Sequence, residues 1–322
     1  MTVALKRAKT TAMKTQKRIE QFITKALEIQ ELSAEEADSL SFMAKILVQA
    51  TLPHRNPGNV AAWGRQNGNF SLTIQPGIHW VEGQPRNIGL PYGSIPRLLM
   101  AWITTEATRT KERKIIFGDT LSEFMRELGL IPSGGRWGSI TRMKEQMSRL
   151  FSARLVYQYD SHQCHAAKET PLTKERLLWW DEKQPSQGNL FKSYIVLDQD
   201  FFAEIVKNPV PLDMRALREL KQSPLALDLY TWLTYRMSYL KEETSIPWSA
   251  LQVQFGSDYN RADNFRSKAK ESIKKICHLY PELNIDEQRG RLVLQPSPTH
   301  VKKRPKILGQ AWGQQKLSTN IW

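Results

Sequence analysis

Cysteine is scarce in this sequence, with only Cys164 and Cys277 among 322 residues. Two distant cysteines define no disulfide framework and are typical of a reducing compartment. Long apolar runs are missing too, because no window approaches the ~20 continuous apolar residues of a membrane-spanning helix. The basic N-terminus lacks the apolar core of a secretory signal. These absences predict a soluble protein that stays in the cytoplasm.

Motifs of nucleotide, metal and hydrolytic chemistry are also missing from the sequence. It contains no GxxxxGK[ST] phosphate loop. His162, Cys164 and His165 have neither the spacing of a zinc motif nor the His-hydrophobic-His pair of a rolling-circle nickase. No Ser/His/Asp order stands out. We therefore expect a protein that is not an enzyme and that needs no cofactor and no metal.

Positive charge is the most prominent feature that the sequence does have. Lys and Arg total 46 against 32 Asp and Glu, so the formal net charge is +14. This excess attracts polyanions, namely nucleic acid, an anionic membrane or an acidic protein. Since no spanning segment exists, nucleic acid is favoured. A hydrophobic content of 40% supports folded cores, and the length suggests about two domains.

The N-terminal part of the chain predicts helices followed by loops. Residues 1–18 carry basic side chains and no acid, which fits either a frayed terminus or an arm that tracks phosphates. Two helices are predicted between residues 16 and 50, and a Ser33–Glu36 capping box would start the second. Residues 53–93 predict a loop-rich lead-in with one small hairpin, in which residues 70–74 pair with residues 78–81.

One order of elements then occurs twice: helix, short strand, helix, helix, two strands. The first copy has helices at 95–110, 119–128 and 137–151 and strands at 115–117, 153–160 and 194–197, with a loop at 161–189. The second copy has helices at 212–221, 225–240, 248–255 and 261–279 and strands at 245–247, 283–285 and 291–294. This order is that of the winged helix-turn-helix.

The repeat predicts an α+β, mainly helical fold with two tandem winged-helix domains and an N-terminal helical extension. The predicted divisions are 1–52 (basic arm and helices), 53–93 (lead-in), 94–198 (first winged-helix domain), 199–300 (second winged-helix domain) and 301–322 (basic disordered tail).

Each predicted third helix is amphipathic, as a DNA-reading helix must be. In the first, the apolar face is Ile140, Met143, Met147, Leu150 and Phe151. Its polar face and flanks supply the candidate DNA contacts Arg136, Trp137, Arg142, Gln146, Arg149 and Arg154. Glu145 lies on the same polar face. In the second, the apolar face is Phe265, Ala269, Ile273 and Ile276. Its candidate DNA contacts are Arg261, Asn264, Ser267, Lys268, Lys270, Lys274 and Lys275. Glu271 lies on the same polar face.

The chemistry of these side chains fits a DNA duplex. Arg pairs bidentately with guanine, Asn and Gln pair with adenine, and Lys and Ser hold phosphates. For any single residue, a solvated helix face is the alternative interpretation. The clusters of positive charge favour DNA, because they suffice for roughly six to ten phosphate contacts and a strong salt dependence.

Three strings resemble the plasmid-encoded RepA replication initiators. They are Leu90-Pro-Tyr-Gly93 through Glu106-Ala107, Phe117-Gly-Asp-Thr-Leu121 through Gly129-Leu130, and Gly134-Gly-Arg136-Trp137-Gly-Ser-Ile140-Thr-Arg142. Over roughly residues 70 to 160 the resemblance is in the amino-acid sequence itself. Over 194 to 300 it is in the order of helices and strands.

The resemblance implies an initiator that binds direct repeats of double-stranded plasmid origin DNA and opens an adjacent AT-rich segment. It further implies recruitment of the host replicative helicase and host initiator, possible self-association as a dimer, and no catalysis. At residue level it implies DNA contacts by Arg136, Trp137 and Arg142. A winged-helix transcriptional repressor is the first alternative, and a plasmid relaxase or nuclease is a more distant one. Two modules in one chain weigh against an ordinary repressor, which usually gains its second reader by dimerising.

Overall fold

The computed structural model describes residues 3–161, 164–178, 193–256, 259 and 261–302. His162 and the predicted tail beyond Lys302 lie outside the described residues. No described helix combines the length and the apolarity that crossing a bilayer requires.

The described residues form a mixed fold of helices and strands. The helices are α1 Val3–Glu31, α2 Lys45–Gln49, α3 Ser94–Thr110, α4 Leu121–Glu127, α5 Ser139–Ser152, α6 Gln199–Lys207, α7 Met214–Leu220, α8 Pro224–Met237, α9 Trp248–Phe255 and α10 Ala262–Leu279. The strands are β1 Leu40–Ala44, β2 Trp63–Asn67, β3 Phe70–Gln75, β4 Ile78–Val81, β5 Gln84–Asn87, β6 Lys114–Ile116, β7 Arg154–Asp160, β8 His165–Pro171, β9 Thr173–Leu177, β10 Tyr194–Leu197, β11 Pro209–Asp213, β12 Thr244–Pro247, β13 Ile285–Gln288 and β14 Arg291–Leu294.

Two units of the fold share one topology. The first unit consists of α3, β6, α4, α5, β9 and β10, and its strands lie in the order β6-β10-β9. The second unit consists of α8, β12, α9, α10, β13 and β14, and its strands lie in the order β12-β14-β13. In both sheets the strand before the second helix pairs with the last strand. The two units therefore agree in strand pairing as well as in element order.

Local sequence explains where several of these elements begin and end. The Thr120 hydroxyl accepts a hydrogen bond from the Glu123 amide and so caps α4. Gly129 follows α4 with a φ of +74°, a conformation that glycine adopts without a steric penalty. Ser223 caps α8 in the same way, and Pro224 occupies the first helical position. These signals are local, which is why the sequence predicts them.

The predicted second N-terminal helix is wrong over residues 40–44, which form β1. This strand pairs antiparallel with β11, from Leu40 opposite Asp213 to Ala44 opposite Pro209. The Ser33–Glu36 capping box does form its reciprocal hydrogen bonds, at 2.9 and 3.2 Å. Only a turn follows it, because Asp38 takes a φ of +47° and redirects the chain into β1. The strand partner lies far along the sequence, so local periodicity could not reveal it.

The basic N-terminal stretch is also more regular than predicted. It is helical from Val3 onward and belongs to α1, rather than forming a frayed arm. The Lys14, Lys17 and Arg18 side chains are exposed on this helix. Near its other end, α1 packs on α10, where the Gln30 side-chain amide donates to the carbonyl of His278 at 2.8 Å.

The predicted hairpin between residues 70–74 and 78–81 does not form. Strand β3 instead pairs with β2 and β7, and β4 pairs with β5 across a turn in which Glu82 and Gly83 both have positive φ. The predicted lead-in is therefore largely strand, and its sheet order is β2-β3-β7-β8. Burial on one face of β3, at Leu72 and Ile74, explains why that strand joins a larger sheet.

The return strand of the first unit also has a different partner from the one predicted. Strand β10 pairs with β6 and β9, not with β7, because both edges of β7 are occupied by β3 and β8. Strands β8 and β9 lie within the predicted loop. Their charged residues, such as Lys168 and Glu175, are typical of edge strands and hide the strand pattern.

Buried polar contacts join the two units. The Arg97 guanidinium on α3 donates from Nε and Nη2 to the two carboxylate oxygens of Asp228 on α8, both at 2.7 Å. His54 Nε2 lies 2.8 Å from the same carboxylate. Burial alone would raise the pKa of Asp228, but the Arg97 charge and the hydrogen bonds from His54 and Arg97 lower it below its ordinary value. An exposed contact from outside the two units lies nearby: the Arg218 guanidinium on α7 donates a hydrogen bond of 3.0 Å to the carbonyl of Glu127 at the end of α4.

Candidate nucleic-acid interface

Helix α5 buries the apolar face that its sequence predicts. Its five apolar side chains are all buried, namely Ile140, Met143, Met147, Leu150 and Phe151. Helix α10 does the same with Phe265, Ala269, Ile273 and Ile276. Each helix is therefore anchored along one side, and its opposite side determines what it can bind.

On α5, two of the candidate contacts are not on the outer surface. Gln146 is only 3% exposed, and its side-chain oxygen accepts a hydrogen bond of 2.8 Å from the amide of Tyr92. The Arg149 side chain is 14% exposed and donates to the carbonyl of Leu90 at 3.2 Å and to Glu145 at 2.5 Å. The outward placement predicted for these two residues is wrong, because the segment that precedes α3 covers this part of α5.

The remaining candidates of the first unit are exposed. Arg136 and Trp137 lie in the loop before α5, Arg142 lies in its first turn, and Arg154 begins β7 just after its end. The Arg136 guanidinium sits over the Trp137 ring, 5.2 Å from the ring centroid. The exposed candidate contacts of this unit therefore lie at the N-terminal end of α5 and at the start of the strand that follows it.

On α10, every candidate contact is exposed: Arg261, Asn264, Ser267, Lys268, Lys270, Lys274 and Lys275. They differ in their internal partners. Glu271 pairs with Lys268 at 2.9 Å and with Lys275 at 3.1 Å, and hydrogen bonds from these two lysines lower its pKa. Lys274 makes no ion pair with any residue that the structure describes. Its charge is therefore fully available to a phosphate.

A cluster of hydrogen bonds around Glu287 ties the hairpin β13–β14 to α10. The Glu287 carboxylate accepts from Lys270 at 2.5 Å, from Arg266 at 2.9 Å and from the Trp248 indole at 3.2 Å. Hydrogen bonds from Lys270 and then Arg266 lower the pKa of Glu287 to about 2. Lys270 thus fixes the hairpin against the helix, in addition to being a candidate DNA contact.

Arg289 is a candidate that the sequence reasoning missed. It lies at the tip of the β13–β14 hairpin, with φ of +48°, and is followed by Gly290 with φ of +75°. Its side chain is exposed. The Gln288-Arg-Gly290 turn is visible in the sequence. A basic residue at the tip of a hairpin that follows a basic helix could have identified Arg289 as a candidate DNA contact.

Among the described residues, no three His, Cys, Asp or Glu side chains come together in a way that could hold an ion.

Comparison with known families bears on the first unit and part of the second. Residues 90–249 match the family model described as "Plasmid encoded RepA protein". The chain belongs to the RepA family of plasmid replication initiators. The match starts at Leu90, where the quoted resemblance also starts, and ends before α10 begins.

Among solved structures, this RepA-family chain is similar to the one titled "Crystal structure of SeMet derivatives of domain2 and domain 3 of RctB". The sequence identity is 12% and the TM-score is 0.47, over 76% of this chain and 94% of that chain. No curated protein matches the chain.

Proposed function

We propose that this chain is a sequence-specific initiator that binds direct repeats of double-stranded plasmid origin DNA with two winged-helix modules. In each module the third helix, α5 or α10, enters a major groove, and the following strand pair contacts the flanking backbone. Arg136, Trp137, Arg142 and Arg154 supply the contacts of the first module. Those of the second come from the exposed side of α10 and from Arg289.

The observation that carries this proposal is the recurrence of one strand order in two units, each with an amphipathic third helix next to exposed basic residues. The order helix, strand, helix, helix, two strands is the one we expect of a winged helix, and the shared strand order supports two such modules. The net charge of +14 supplies the long-range attraction to a polyanion. Membership of the RepA family supports replication initiation as the process in which the binding is used.

The test is in vitro selection of duplexes from a randomised library with the full chain, followed by footprinting of the selected site. If both helices enter major grooves on one face of the duplex, their centres lie about one helical turn apart, and one protein molecule protects roughly two turns. The mass of the complex must be measured in parallel. A footprint of only one turn from a proven monomer would show that a single module reads DNA.

We further propose that the DNA-bound protein recruits the host replicative helicase and the host initiator, acts without catalysis of its own, and works in the cytoplasm, where it can also associate as a dimer. Purified helicase and initiator should be retained by the protein on selected duplex and not on scrambled duplex. A nicking assay on supercoiled origin DNA with divalent metal should leave the DNA intact. Nicking would instead support the relaxase alternative.

A further inference from the structure

The loop between α4 and α5 exposes large apolar side chains at the edge of the proposed DNA interface. Ile131 is 84% exposed and Trp137 is 82% exposed. Burying apolar surface is favourable by about 25 cal/mol per Å², and a side chain left in water does not gain this free energy. Phosphates cannot recover that free energy, because they offer charge and hydrogen-bond acceptors but no apolar surface. An apolar group on a ligand therefore gains more from covering Trp137 than a phosphate does.

The loop that carries Trp137 is held firmly by hydrogen bonds. The Ser139 hydroxyl donates to the carbonyl of Ile131 at 2.6 Å, and the Ser139 amide donates to the Ser133 hydroxyl at 3.0 Å. At Gly138, an added Cβ atom would lie 2.2 Å from the carbonyl oxygen of Ser133 and 2.3 Å from that of Gly134. The backbone is thus closely packed just after Trp137, which reduces the ordering needed when the loop meets a ligand.

The position and neighbours of Trp137 specify the ligand. Trp137 lies two residues before α5, and the N-terminal residues of a recognition helix come closest to the base edges. The only apolar group that a base presents in the major groove is the C5 methyl of thymine. Arg136 lies over the indole at 5.2 Å, which places a donor for guanine beside the apolar ring.

On this basis, and resting on the duplex binding proposed above, we propose that Trp137 contacts the C5 methyl group of a thymine in the major groove. It selects thymine at one position of the site that α5 reads. Arg136, held against the indole, donates to a neighbouring guanine. The loop is thus a reading element in its own right, separate from the exposed face of α5.

Deoxyuridine substitution tests this contact, because deoxyuridine differs from thymidine only by the missing methyl group. The probe is a duplex selected with the full wild-type chain, in which each thymidine is replaced in turn. At one position the replacement should weaken wild-type binding about three- to five-fold, the factor that corresponds to one buried methyl group. Trp137→Ala should bind the two duplexes equally, and Ile131→Ala serves as the matched exposed control in the same loop.

The thymidine-to-deoxyuridine ratio is measured within each variant, so a partly unfolded preparation does not alter it. The contact is overturned if wild type tolerates deoxyuridine at every position, or if Trp137→Ala keeps the discrimination. These results leave duplex binding intact and are distinct from failure of the proposed function, in which wild type selects no duplex and both proposals fall.

Discussion

On α10, Asn264 and Lys274 are both exposed but should act differently. Asn264 lies in the first turn, nearest the bases, and Lys274 lies more than two turns further along. We predict that Asn264→Ala costs about 1–3 kcal/mol at the cognate site and relaxes discrimination at one base, an adenine. Lys274→Ala should weaken binding to all sequences by a similar factor and lower the salt slope by about one.

Titrations of both variants against cognate and scrambled duplex at two salt concentrations separate these roles. Lys268→Ala should weaken binding less than Lys274→Ala does, because the Lys268 charge is already shared with Glu271. The assignment fails if Asn264→Ala weakens both duplexes equally while Lys274→Ala changes the sequence preference.

Arg149 and Arg142 on α5 form a second contrasting pair. Arg149→Ala removes hydrogen bonds to Leu90 and Glu145, so we predict a loss of about 1–3 kcal/mol in the free energy of unfolding and an unchanged salt slope for DNA binding. Exposed Arg142→Ala should change stability by less than about 0.5 kcal/mol and weaken DNA binding. Chemical denaturation and salt-dependent titration measure both quantities. A lowered salt slope with unchanged stability would return Arg149 to the DNA interface.

These residues also show how far a site can be predicted from sequence. Helical periodicity correctly separates the buried and exposed sides of α10, because its basic residues stay exposed even where the β13–β14 hairpin contacts Lys270. On α5 the same rule fails at Gln146 and Arg149. The segment at Leu90 and Tyr92 packs there, and a contact between residues more than fifty positions apart leaves no periodic signal.

At the scale of elements, the hairpin β13–β14 depends on an ionised carboxylate. The pKa of Glu287 is lowered to about 2 from an ordinary value of 4.5, so its stabilising contribution is complete above about pH 4.5 and is lost as the pH falls toward 2. We predict that Glu287→Gln lowers the thermal midpoint at neutral pH, and that the difference from wild type shrinks between pH 4.5 and 2. Thermal melts across this range measure it, with Asp286→Asn on the same hairpin as control. A constant difference would contradict the ionic contribution.

Elements with local signals are predictable, and those defined by distant partners are not. Helices α3, α4, α9 and α10 follow from apolar periodicity, caps and terminal glycines within a few residues of their observed ends. Strand β1 does not, because its spacing also fits a helix and only pairing with β11 decides between them. The same holds for β8 and β9, whose charged sequences form strands because their backbones pair with β7 and β10.

For the whole molecule, the contact between Arg97 and Asp228 links the two units. Asp228→Asn would leave the Arg97 guanidinium buried without a balancing charge, so we predict a loss of about 3–5 kcal/mol in the free energy of unfolding. Asp200→Asn is the matched control, since its exposed contact with Lys168 at 3.6 Å should be worth less than about 1 kcal/mol. Chemical denaturation compares the two. Equal losses would show that the buried link does not hold the units together.

The pairing of β1 with β11 has a consequence for how the chain is made. Roughly 170 residues separate the two strands, so at about 5–20 residues per second a ribosome takes roughly 10 to 30 seconds to deliver the second after the first. During that interval residues 40–44 lack the partner that makes them a strand, although they have long been synthesised. A nascent chain that stalls before Pro209 leaves this apolar segment without its partner and prone to associate with other chains.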